Sequence, residues 1–138
     1  MSLQAYINFN GNCREAVEFY SDVFGTEKPE IMLYKDAPAD EDFPLTEETK
    51  DLVLHTSLDI EGGTVMFSDV PPDMPLVTGN NISLIILSKD MDKIRSLFNK
   101  LKDGGTVGMD LQETFWSKSY GFVTDRFGVG WQFNHESE

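Results

Sequence analysis

The sequence predicts an α+β chain made of two βαβββ repeats, with mixed sheets curved around a cleft and one helix per repeat on the outer face. Three observations predict it. The stretch 111–134 is dense in aromatic residues and reads as two strands around the turn Asp125-Arg126-Phe127-Gly128. The stretch 55–69 has the same plan, with Gly62 standing 66 positions before Gly128 and Phe67 standing 66 before Phe133. Asn12 and Asp90, 78 positions apart, each open an amphipathic helix. A fixed internal offset is the mark of duplicated units.

Residues 3–9 form the first strand. Asn12 is expected to cap the first helix through its side chain, with Glu15 three positions on. Ala16, Phe19, Tyr20, Val23 and Phe24 recur on one face, Arg14, Glu15, Glu18, Ser21 and Asp22 fill the wet side, and Gly25 ends the helix. Residues 27–34 read as a second strand, placed at a sheet edge by Pro29. The acidic segment 35–51 has no period and reads either as a lid or as a solvated insertion, with Phe43 and Leu45 able to fold over a pocket. A hairpin follows, His55–Ile60 and Thr64–Asp69 around Glu61-Gly62-Gly63. The segment after it carries Pro71, Pro72 and Pro75 and reads as a linker.

The second repeat opens with strand 81–88, a nearly continuous apolar run. Asp90 then caps a helix whose buried face is Met91, Ile94, Leu97, Phe98 and Leu101. Gly104-Gly105 end it, a short strand covers 106–109, and the hairpin strands are Phe115–Thr124 and Gly130–Asn134. His135 falls in a tail expected to fray. The division is therefore one domain over 1–138, with repeat one at 1–70, a linker at 71–80 and repeat two at 81–134.

Composition narrows the function. The 138 residues carry 24 acidic and 11 basic side chains, a formal charge of −13. Nucleic acid and anionic membranes need a surplus of Lys and Arg, so neither is expected as a partner, whereas a cationic ligand is favoured by such a field. No apolar run approaches a membrane span and no signal peptide is visible. The one cysteine, Cys13, allows no internal disulfide. It sits in the first turn of a helix and is expected to be an inert thiol. A cytoplasmic protein is expected.

Three segments together resemble one superfamily. They are F-x-G-N-x-x-E-A-V-x-F-Y-x-x-V-F-G at Phe9–Gly25, H-x-x-L-x-I-x-G-G at His55–Gly63, and Q-E-T-F-W-x-x-x-Y-G-x-V-x-D-x-F-G-V-x-W at Gln112–Trp131. The chain is similar to the vicinal oxygen chelate superfamily of glyoxalase I, bleomycin-resistance proteins and extradiol dioxygenases. It resembles most its PhnB-like branch, the 3-demethylubiquinone-9 3-methyltransferase-type domain. The resemblance implies the duplicated fold and a homodimer. In metal-dependent members it places ligands on the first and last strands of each repeat. Counted from the helices, those positions hold Ala5 and Ser83, and on the last strands Met66 and Gln132. None is a His, Asp or Glu, so no metal and no other cofactor is expected. No glycine-rich strand–turn–helix supports the methyltransferase label.

Three functions remain open. The first is a metal-free module binding an unidentified small molecule, cationic or aromatic, through Trp116, Tyr120 and Trp131. The second is an enzyme of lyase, isomerase or dioxygenase type, with His55 as base or ligand and the one catalytic candidate. The third is a dimeric scaffold with no small-molecule role. The expected pocket lining is Ala5, Ile7, His55, Met66, Ser68, Ser83, Ile85, Trp116, Tyr120 and Gln132, while Trp131 and Phe133 take the opposite parity under a helix.

Overall fold

The computed structural model describes residues 1–38, 41–42 and 44–136 and divides the chain into two compact units, Met1–Val77 and Thr78–Glu138. The boundary falls inside the segment read as a linker. Each unit is a βαβββ repeat.

The first unit runs β1 (Ala5–Phe9), α1 (Cys13–Phe24), β2 (Met32–Leu33), a 3-10 turn (Tyr34–Asp36), β3 (Val53–Ile60) and β4 (Gly63–Asp69). Its sheet has the order β1-β4-β3-β2, with β1 parallel to β4 and the other pairs antiparallel. Glu61 and Gly62 join β3 to β4 with φ of 49° and 87°. Two positive φ values in succession give the twist that a tight hairpin needs.

Helix α1 lies on β3 and β4. Its buried face is Cys13, Ala16, Val17, Tyr20, Ser21 and Val23, a few tens of degrees from the expected stripe, and Phe19 and Phe24 are only half-buried. Ser21 is not on the wet side. Its hydroxyl donates to the Thr26 carbonyl at 3.1 Å and accepts from the Thr26 hydroxyl at 3.0 Å, which satisfies it under cover. Tyr20 stacks on Phe67 at 5.7 Å between centroids, and Phe9 lies on the same ring at 6.3 Å. Fully burying such side chains contributes about 1.5–3 kcal/mol each.

Asn12 makes no side-chain cap. The cap comes instead from Asp69 at the far end of β4. Its Oδ1 accepts from the backbone N–H of Gly11 at 2.9 Å and of Cys13 at 3.0 Å, and its Oδ2 accepts from Val53 N–H at 3.0 Å. A carboxylate also suits the positive end of the helix dipole, so it displaces the neutral amide.

The strand expected over 27–34 shrinks to Met32–Leu33. Pro29 has no N–H to give, and Asp36 takes the Leu33 N–H at 2.9 Å to turn the chain into the 3-10 segment. The described part of the acidic segment is held by its own bonds. Tyr34 and Lys35 donate to the carbonyls of Leu52 and Lys50, and Thr46 and Thr49 each accept the other's backbone N–H. Phe43 lies outside the described residues.

The second unit runs β5 (Ser83–Ser88), α2 (Met91–Leu101), β6 (Thr106–Gln112), β7 (Tyr120–Thr124) and β8 (Gly130–His135), in sheet order β5-β8-β7-β6 with β5 parallel to β8. Asp90 caps α2 as expected, accepting from Asp92 and Lys93 N–H at 3.0 and 3.1 Å. Ile94, Leu97, Phe98 and Leu101 are buried over Trp131 and Phe133, with Phe98 edge-on to Phe133 at 5.5 Å.

Three expectations fail here. Strand β6 continues to Gln112 instead of stopping at 109. Residues 115–119 are a loop, not strand. Thr114 donates its N–H to the Ser117 carbonyl at 2.8 Å, and Ser117 N–H donates to Thr114 Oγ1 at 3.1 Å, so a local turn consumes groups a ladder would use. His135 is not frayed: it ends β8, its N–H donates to Ser119 O at 2.9 Å, and its Nε2 lies 3.1 Å from Lys89 O. Among the described residues no helix is long and apolar enough to cross a membrane.

Candidate functional site

Each sheet has one face under its helix and one face open, and side chains alternate between them along every strand. In the first unit β1 and β4 pair as Ala5↔Val65, Tyr6↔Met66, Ile7↔Phe67 and Asn8↔Ser68. Val65 and Phe67 are buried against α1, so Ala5 and Ile7 share the helix face. The open face carries Tyr6, Asn8, His55, Ser57, Met66 and Ser68. His55, Met66 and Ser68 lie on this open face, whereas Ala5 and Ile7, expected beside them, lie on the opposite side.

The cause is one residue. Three residues, Asn10 to Asn12, connect β1 to α1, but only Lys89 and Asp90 connect β5 to α2. Gly11, with φ of 93°, takes up the excess. Counting back from the helix therefore lands one position off on β1, where Tyr6, not Ile7, corresponds to Ile85: each lies opposite the matching last-strand residue, Met66 or Gln132.

On this first open face the Tyr6 hydroxyl faces His55 Nδ1 at 3.4 Å, with ring centroids 5.9 Å apart. Ser68 donates to Asn8 Oδ1 at 2.9 Å. Below it, on the helix side, Cys13 has no exposed surface. Burial and the Asp69 charge push its thiol up to about 12, against a smaller opposing effect of Arg14. Tyr34 is raised too, by burial, Asp69 and Tyr6, and it donates its hydroxyl to the Asp69 carbonyl at 2.8 Å.

In the second unit the open face carries Ser83, Ile85, Leu87, Tyr120, Phe122, Gln132 and Asn134, as the pairings Ile85↔Gln132, Phe122↔Gln132 and Tyr120↔Asn134 require. All four strand residues expected here, Ser83, Ile85, Tyr120 and Gln132, are on it. Three form a chain: Tyr120 OH donates to Gln132 Oε1 at 2.6 Å, and Gln132 Nε2 donates to Ser83 Oγ at 2.7 Å. Trp116 belongs to the loop and meets Tyr120 edge-on at 5.3 Å, with Phe115 a further 4.8 Å along. Phe115 is 98% and Trp116 53% exposed, although the loop beneath them is pinned by Ser117, whose hydroxyl donates to Ser119 O at 2.8 Å.

Sequence reasoning missed Tyr6, Asn8, Ser57, Leu87, Phe122 and Asn134. Phe122 was recoverable, because glycines flank its neighbours. A Cβ on Gly108 would come within 2.8 Å of the Phe122 ring, and one on Gly130 within 3.1 Å, so both positions leave the ring its seat on the open face. Asn134 was not recoverable. Its Oδ1 is buried with no hydrogen-bond partner among the described residues.

Of the residues expected at metal positions, Met66 lies on the first open face opposite Tyr6, Ala5 lies on the helix side, and Ser83 and Gln132 lie on the second open face. A methyl group, a thioether, and a hydroxyl and an amide already bonded to one another are poor ligands for a divalent cation. Among the described residues no group of three His, Cys, Asp or Glu side chains could hold a metal ion.

Comparison with known proteins places the chain. The family model described as 3-demethylubiquinone-9 3-methyltransferase matches residues 2–134. The chain is 30% identical to the protein YjdN of Escherichia coli K12, over 97% of this chain and 95% of that one. The structure of PA1353 from Pseudomonas aeruginosa has a TM-score of 0.82 at 38% identity, covering 99% of this chain and 100% of the other. That of the PhnB protein from Bacillus cereus has a TM-score of 0.71 at 25% identity, with 99% and 100% covered.

Proposed function

The chain belongs to the 3-demethylubiquinone-9 3-methyltransferase-type, PhnB-like family, and on that premise we propose that it binds a small molecule without using a metal. The ligand is a planar aromatic or cationic compound seated on the open face of the second sheet, beside Trp116, Tyr120, Gln132 and Asn134. The chain Tyr120–Gln132–Ser83 carries this reading. At the last-strand position it offers neutral hydrogen-bonding groups in place of a metal ligand. The half-exposed Trp116 supplies a stacking surface. The protein is read as a cytoplasmic homodimer.

Metal content of protein purified without chelator is the first test, followed by melting scans with Zn²⁺, Ni²⁺, Mn²⁺ and Fe²⁺ and with planar aromatic amines. A ligand that binds only the folded state at about 100 times its Kd stabilises by about 2.7 kcal/mol. The expected result is no stoichiometric metal, no metal-dependent shift, and an aromatic-amine shift that Trp116→Ala abolishes. Stoichiometric metal with a clear shift sinks the reading.

One observation favours a second reading, an enzyme. Tyr6 stands 3.4 Å from His55 on the open face of the first sheet, a phenol and an imidazole in position to pass a proton. Under that reading His55→Ala abolishes turnover of a bound compound while leaving its binding intact. A His55→Ala protein with unchanged turnover removes the enzyme reading.

A further inference from the structure

We propose that Asn10–Gly11 is a self-modification site: the pair closes to a succinimide and reopens as isoaspartate or aspartate, and Asp69 holds that reaction off while the first unit is folded. Asn10 is the one asparagine of the chain followed by glycine. The pair lies in the connection from β1 to α1, and both residues are exposed. The Asn10 side chain makes no hydrogen bond among the described residues. A Cβ on Gly11 would meet nothing within 4 Å, so no neighbour crowds the place where the ring closes.

The chemistry needs only water. The Gly11 backbone nitrogen gives up its proton and attacks Asn10 Cγ. An N–Cγ bond forms, the Cγ–Nδ2 bond breaks, and the side-chain nitrogen leaves as ammonia with that proton. Water then opens the ring. Opening at Cγ gives aspartate. Opening at the backbone carbonyl carbon gives isoaspartate, whose main chain runs through the former side chain and is one carbon longer.

The attacking nitrogen is held by Asp69. Gly11 N–H donates to Asp69 Oδ1 at 2.9 Å, and Cys13 N–H shares that oxygen at 3.0 Å. Asp69 is buried, and Val53 N–H fixes its other oxygen at 3.0 Å, so the carboxylate does not swing away. Attack requires this charge-assisted bond to break. It also builds negative charge on a nitrogen beside a carboxylate, which like charge opposes. The reaction therefore runs from states in which the β1–α1 connection has opened. It runs one way, because the added carbon of isoaspartate displaces the Gly11 and Cys13 N–H groups from Asp69. The pair thus records how often the end of α1 has opened.

The test follows conversion in the full chain by peptide mapping, from the amide-to-acid mass gain at Asn10. Isoaspartate is told from aspartate by its resistance to an aspartate-specific endoprotease. Native protein at pH 8 is expected to convert at least about tenfold more slowly than the same chain unfolded in urea, the factor a hydrogen bond to a charged group is worth. Below the unfolding transition, added urea should raise the conversion rate and the exchange rate of the Gly11 amide proton in parallel. Asp69→Asn should convert faster under native conditions, and Asn10→Gln should not convert. Equal rates in native and unfolded chain, or conversion that ignores urea while Gly11 exchange rises, overturn the proposal. A folded Asp69→Asn protein that converts no faster than the parent does so too. If that variant does not fold, the urea series on the parent decides alone.

Discussion

Trp131 donates its indole N–H to Asp125 Oδ2 at 2.8 Å, and the two side chains are 1% and 3% exposed. The same carboxylate accepts from Phe127 and Val129 N–H through its other oxygen, so one buried group closes the β7–β8 turn and fixes the largest core side chain. Asp125→Ala strands three donors. The expected loss is about 3 kcal/mol or more in urea unfolding followed by tryptophan fluorescence. Asp125→Asn presents an amide to a donor and loses a similar amount. An Asn variant as stable as the parent would show that the charge is dispensable.

Gly11→Ala separates conformation from crowding. A Cβ there meets nothing within 4 Å, yet φ is 93°. The cost is backbone strain alone, about 1–2 kcal/mol. A loss several times larger in thermal or urea unfolding would mean that the space is not open.

The thiol of Cys13 predicts a pH dependence. Its folded value is about 12 against 9.0 for the free group. The folded state therefore holds the proton more tightly, and its stabilising contribution is complete below pH 9. It is lost as pH rises from 9 toward 12, with a slope of up to about 1.4 kcal/mol per pH unit. Cys13→Ala is expected to flatten that slope in urea midpoints measured between pH 8 and 11. Native protein at pH 8 should resist thiol reagents. Rapid labelling at pH 8 would contradict the burial.

Tyr120→Phe removes the donor to Gln132 Oε1 and is expected to cost about 0.5–1.5 kcal/mol. The Gln132 side-chain amide resonances should move while those of α2 stay in place. If neither stability nor the amide signals change, the Tyr120–Gln132 bond contributes nothing.

The repeats, both helices, the Asp125 turn and the helix-side placement of Trp131 and Phe133 were legible because each rests on a local pattern or a fixed offset. Offsets between last strands hold, so Met66 and Gln132 occupy matching positions in the two sheets. The offset between helices fails across Gly11, and Ala5 and Ile7 went to the wrong face with it. Phe115 and Trp116 have strand-like composition, but Thr114 and Ser117 bend the backbone away, a competition between side-chain and ladder bonding that composition does not reveal. Asn12 had the right chemistry for a cap and lost to a carboxylate from 57 positions away.

That distant cap ties the order of folding to the topology. Helix α2 carries its own cap in Asp90 and can complete its first turn from neighbouring residues. The amino end of α1 stays unsatisfied until β4 has docked and delivered Asp69, whose other oxygen holds the start of β3. Nucleation of the first repeat must therefore close a long loop before its helix is secure, a slow step by the contact-order argument. The second repeat has no such requirement at its helix. The two halves of a duplicated chain should thus acquire amide protection on different timescales, with α2 ahead of α1.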